Sequence, residues 1–368
     1  MSWGCLGWEY EPGVSRGLVR IGWLLTDRKE TCFQGCDGVC RVRSLFKVLD
    51  LIYFASTSGR HPLPLLILKM KSLSLCCVLV MFFAAALALR AAHPFICADS
   101  AGNKVAVVSA TGKIEWEYPC RHPQDVWVLP NGNFLIAFES GAAELTRAKQ
   151  VVWEYKAGEK TEVHACQPLP DGRVLIVECG PSRLIEVDRA GKIAKEIKLT
   201  PPPAPIKLHN QFRGVRKTAA GHYLVSRKGE NQIEELDGDG KSLRRIPVPG
   251  DIHEVLQLPD GHLLVSCGDG HKVLELDTAL KVVWELNEND VPGHPLRLMA
   301  GFQRLPNGNT IFCNYLGHGH LGKQPHLFEI TRDKQVVWFF SDHVNFKTIN
   351  QIQVLDVPGD VTKGEILR

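Results

Sequence analysis

Two things are scarce in this sequence: apolar stripes with the 3.6-residue period of helices, and a surplus of one charge sign in the part that repeats. The first absence leaves short β-branched runs between turn residues as the carriers of structure, an all-β signal. The second excludes a basic nucleic-acid face, because from Met70 onward 34 Lys/Arg stand against 34 Asp/Glu. The net charge of +3 arises in the first 69 residues, with nine basic against six acidic side chains. Metal-site spacing is missing too: Cys32, Cys36 and Cys40 are separated by three residues each, which fits neither zinc ribbons nor common iron–sulfur patterns. What remains is globular, since 368 residues at 45% hydrophobic content suffice for a core.

Residues 1–69 carry no repeat and read as a non-native or disordered upstream extension. At Met70 the sequence MKSLSLCCVLVMFFAAALALRAAHPF has a lysine start, an apolar run and small residues around Ala88 and Ala91. That is the layout of a secretory signal peptide over 70–92. Left uncleaved, Ser72 to Leu89 would anchor the chain in a membrane. No lipobox-like cysteine sits at the cleavage region. Residues 93–368 are therefore expected to be secreted or periplasmic and monomeric, with Cys97, Cys120, Cys166, Cys179, Cys267 and Cys313 either bridged or buried as free thiols.

Two signals alternate through 93–368. One is a turn, LPNGN from Leu129, LPDGR from Leu169, TAAGH from Thr218, LPDGH from Leu258 and LPNGN from Leu305, read as a tight Asn-Gly or Asp-Gly hairpin. The other is a strand, KIEWEY, QVVWEY, KIAKEI, KSLRRI, KVVWEL and QVVWFF. Seven residues before Trp116, Trp153, Lys195, Arg244, Trp284 and Trp338 stand Ser109, Thr146, Asp188, Asp237, Asp277 and Thr331, each able to bond a turn backbone. Six such units, 37 to 54 residues apart, predict a six-bladed β-propeller of four-stranded blades. Strands at Phe95 and Lys104 lack a first strand, which Asn350 to Asp356 supplies, so N- and C-terminal strands should close the ring.

In this register Val126, Cys166, Val215, Val255, Phe302 and Ile352 occupy one buried side of the innermost strands. Two residues earlier stand Gln124, His164, Arg213, His253, Ala300 and Asn350, on the same side by the period of two. Five of the six are polar and should ring the axial mouth. A water-lined tunnel would use them without a ligand; a binding pocket would use His164, Arg213 and His253 together on an anionic or polar group. The longest insertions, from Thr200, Asn287 and Asn314, enter on the same face, adding Asn210, His318 and His320 as binding candidates and His209 and Arg297 behind them. No third residue at fixed spacing completes a metal set. The repeated tryptophans are read as packing between blades.

GKIEWEY, KQVVWEY and LKVVWEL, followed by LPNGN or LPDG turns and by the LDVPGD segment of Leu355 to Asp360, resemble secreted bacterial propellers of the quinoprotein-like repeat group over residues 94–368. Quinoprotein dehydrogenases of that group are typically eight-bladed with an acidic calcium site. Six blades and no matching carboxylates argue against pyrroloquinoline quinone, and no cofactor is expected. A histidine followed by an LPNGN turn is also similar to arylsulfotransferase-type propellers, a resemblance that implies a histidine nucleophile with an arginine and a second histidine on the sulfate, parts open to His164, Arg213 and His253. Three functions follow as expectations: a mouth that binds a small polar molecule, glycan or protein; a transferase or lyase acting through those three residues; or a scaffold that uses its rim.

Overall fold

The computed structural model describes residues 92–293 and 295–368. The upstream extension and nearly all of the signal segment expected up to residue 92 lie outside these residues. Among the described residues no helix is long and apolar enough to cross a membrane.

Six antiparallel sheets of four strands each form the propeller. The innermost strands are Pro123–Val128 in blade 1, Glu162–Pro168 in blade 2, Val215–Lys217 in blade 3, Ile252–Gln257 in blade 4, Leu298–Arg304 in blade 5 and Ile349–Val354 in blade 6. Blade 6 continues with Phe95–Asp99, Lys104–Val108 and Ile114–Pro119, with Phe95 opposite Val354 and Cys97 opposite Ile352. Both ends of the domain thus close the ring, as the missing first strand predicted. Val126, Cys166, Val215, Val255, Phe302 and Ile352 are fully buried, each 0% exposed. All six cysteines of the described residues are free thiols.

The repeat is held by three recurring bonds. Ser109, Thr146, Asp188, Asp237, Asp277 and Thr331 each accept from the backbone N–H four residues on, at 2.9–3.2 Å. Trp116, Trp153 and Trp284 donate their indole N–H to the corresponding turn of the next blade, at the carbonyls of Arg147, Asp188 and Arg332, 2.7–2.8 Å away. Lys195, where a tryptophan is missing, sends its ammonium to the Gly238 carbonyl of the next blade. The third device is a glutamate buried on the third strand of blades 1 to 5. Glu144, Glu186, Glu235, Glu275 and Glu329 contact the side chain that follows the turn glycine: Asn133, Arg173, His222, His262 and Asn309, at 2.6–3.0 Å.

The Asn-Gly and Asp-Gly pairs sit in tight three-residue loops. Leu129 donates to the Asn133 carbonyl and Gly132 to the Leu129 carbonyl, both at 2.8 Å, enclosing three residues. Gly132, Gly172, Gly221, Gly261 and Gly308 take φ of +80° to +86°. This is a three-residue hairpin with a left-handed glycine. A Cβ on Gly132 would meet nothing within 4 Å, so Gly132→Ala should cost only the backbone term, about 1–2 kcal/mol. Urea unfolding with an unchanged m-value checks this.

Candidate functional site

The axial ring is built on β-bulges. Pairing to the second strand steps from Pro123 to Asp125, from Val163 to Ala165, from Ile252 to Glu254, from Met299 to Phe302 and from Ile349 to Gln351. Gln124, His164, His253 and Asn350 are therefore extra residues that oppose no partner, and Ala300 shares its bulge with Gly301. In blade 3 the regular ladder begins only at Val215, although Arg213 and Gly214 already bond Ser226 at 3.0 and 2.9 Å. A bulge re-aims the side chain it carries and breaks strict alternation. Of the positions picked out by the period of two, Gln124, Arg213, His253 and Asn350 face the axial mouth, and in blades 1, 4 and 6 it is the bulge that aims them.

A cavity of about 730 Å³ opens over this ring. Gln124, Asn210, Arg213, His253, His318 and Asn350 line it, whereas His320 does not. His164 lies behind the wall, its side chain 1% exposed. Arg297 bonds Glu288 at 2.6 Å instead of facing the cavity.

Beneath the ring the axis is plugged. Asp125, Ala165, Gly214, Glu254, Gly301 and Gln351 follow the ring positions, three polar side chains fitted into the room that three small residues leave. A Cβ on Gly214 would overlap the Glu254 carboxylate, and one on Gly301 the Gln351 amide. Arg216 reaches Asp125 and Glu254, both at 3.3 Å, while Gln351 donates to Glu254 at 3.2 Å. Arg368 enters from the opposite face, bonding Asp125 and the Ile352 carbonyl at 2.8 Å each. Trp127 packs against both guanidiniums, 5.0 and 3.9 Å from its ring. A through tunnel is thereby replaced by a blind cup. Burial raises Glu254 to about 7.

One wall of the cup is a closed circuit. Arg213 Nη1 donates to His164 Nδ1 at 2.7 Å and Nη2 to His209 Nε2 at 2.5 Å, with a longer contact of 3.4 Å to Gln124. The remaining ring nitrogens, His164 Nε2 and His209 Nδ1, both reach Glu162 Oε2, at 3.1 and 2.9 Å. Burial first, then Arg213, lowers His164 to about 3 and moves His209 down as well. The hydrogen bond from His164 is the main cause that lowers Glu162, to about 2. His253 is pushed well below its usual range by burial and by Arg213.

Most other charges around the cup are already matched. Lys228 pairs with Asp251, Asp269 with His318 at 2.9 Å, and Glu139 with Arg121 at 3.9 Å. Arg213 differs: every acceptor it contacts is uncharged.

A crystal structure of a protein of unknown function from Bacteroides caccae is 31% identical in sequence, spans 71% of this chain and 97% of its own, and superposes with a TM-score of 0.65. The chain belongs to the same family as that protein. A streptogramin B lyase, 15% identical over 69% of this chain and 85% of its own with a TM-score of 0.50, shares the fold. No family model and no curated protein matches the chain.

In this family member the sequence missed Glu162, Lys228, Asp251, Asp269 and Tyr315. Glu162 stands two residues before His164 on the same strand, a spacing that was available; Tyr315 ends the strand Thr310–Tyr315, Lys228 and Asp269 sit in short 3-10 turns, and Asp251 lies on a loop, none of them marked by the repeat. Glu162, His164 and His209 also form a trio with ligand atoms within 4.8 Å of one another. A divalent cation there would need the imidazole nitrogens that now donate to Glu162, and would lie beside a guanidinium.

Proposed function

We propose that the cup receives a small polar molecule of the saccharide class through one acidic group. One observation carries this reading: Arg213, 8% exposed and part of the cup lining, keeps a buried positive charge whose contacts are two neutral imidazoles and an amide. Buried charges are ordinarily paired, and a carboxylate or sulfate is the usual partner of a guanidinium. Around it the lining offers neutral donors and acceptors from Gln124, Asn210, His253 and Asn350, suited to hydroxyl groups.

Thermal unfolding with added glucuronate, glucose and an aryl sulfate tests the reading. Glucuronate should stabilise the protein, by about 2.7 kcal/mol at a hundredfold excess over Kd. The effect should vanish in Arg213→Ala. Equal stabilisation by glucose, or none by any acid, would refute the reading.

A catalytic version rests on His253. Both ring nitrogens of His164 are engaged, whereas His253 Nδ1 is buried without a partner. Aryl sulfate turnover that disappears in His253→Ala would make the cup an active site.

A further inference from the structure

We infer that Glu162 is the positioning residue of the cup: it fixes opposite tautomers on His164 and His209, so that both rings turn a lone pair toward Arg213. The inference rests on the ligand reading only for its consequence, and the circuit itself follows from donor and acceptor chemistry. A guanidinium has five N–H donors and no acceptor. The nitrogens facing it, His164 Nδ1 and His209 Nε2, must therefore carry lone pairs. Each neutral ring then has its proton on the other nitrogen, Nε2 in His164 and Nδ1 in His209. Both of those nitrogens converge on one carboxylate oxygen, Glu162 Oε2. The rings meet edge to face, centroids 4.9 Å apart, so each orients the other.

The purpose of the arrangement lies in what Glu162 does not touch. A carboxylate directly on Arg213 would neutralise it and compete with any acidic ligand. Placing the carboxylate one imidazole away holds the guanidinium rigidly while leaving its charge for an incoming anion. The same protons disable the trio as a metal site, because a cation would drive them onto the Arg213-facing nitrogens, setting donor against donor.

Nitrogen-15 NMR of the imidazoles near pH 7.5 tests this on the unaltered protein. The expected spectrum shows His164 protonated at Nε2 and His209 at Nδ1, unchanged by added Zn²⁺. In Glu162→Gln the amide oxygen can still accept but carries no charge to hold both protons, so at least one ring should exchange between tautomers, and glucuronate affinity should fall about tenfold. Identical tautomers on the two rings, an imidazolium at either, or a Zn²⁺-induced shift of both in the unaltered protein would overturn the inference, whether or not Glu162→Gln folds. Failure of glucuronate to bind would strike the ligand reading and leave the tautomers as they are.

Discussion

An Asp125→Ala variant should lose about 3–5 kcal/mol of stability, the range for breaking a buried ion pair by removing one partner. Asp125 is 1% exposed and accepts from two guanidiniums, those of Arg216 and Arg368, at 3.3 and 2.8 Å. Removing it leaves two cations stacked on Trp127, with only Glu254 near Arg216 to offset them. For a domain of this size the loss corresponds to a fall in Tm of about 10 °C. Asp125→Asn, which keeps the shape, should lie between the two. A variant as stable as the parent would mean that the plug is not what holds the axis.

The second large effect is acid lability. His164 and His326 are held near 3 and 4, and His253 well below its usual range, in each case chiefly by burial. The unfolded chain protonates these rings below about pH 6.5 while the folded protein does not, so stability is complete above that pH and falls as acid is added. Glu254 works in the opposite sense. Its folded pKa is raised to about 7, so its contribution is present at low pH and lost as pH rises through 7. Three histidines against Glu254 leave a net of two, the downward shift of His209 and the upward shift of His93 acting in opposite senses. At about 1.4 kcal/mol per group and pH unit, the step from about pH 6.5 to 4.5 removes roughly 5 kcal/mol. Urea midpoints across that range should fall steeply, and Glu254→Gln should fall more steeply still while gaining stability above pH 7. A flat profile between pH 7 and 5 would rule out neutral buried imidazoles.

The blades were legible because backbone geometry writes itself into short polar residues. Ser109, Thr146, Asp188, Asp237, Asp277 and Thr331 all make the turn bond that their spacing predicted. The buried glutamates were equally readable, since AELT, IEVD, EELD, LELD and FEIT place Glu144, Glu186, Glu235, Glu275 and Glu329 two residues before each turn residue. Ordinary expectation puts glutamate on the surface, and that expectation hid them. The period of two picked out Gln124, Arg213, His253 and Asn350, which line the cup, yet bulges leave no mark in an alternating pattern. Glu162 and His209 are 47 positions apart and meet only because an insertion folds back over the mouth. Arg368 belongs to a tail without any period, so nothing announced that it would block the axis.

Ring closure also sets the order in which the protein can be made. Phe95–Asp99 is synthesised long before its inner partner, Ile349–Val354. During the interval Phe95, Ile96, Cys97 and Ala98, all at most 1% exposed in the finished domain, lack one neighbouring strand. A pairing of such sequence separation is slow to form and leaves an open sheet edge while it waits. A chain stopped before residue 349 should therefore yield aggregate instead of a five-bladed product.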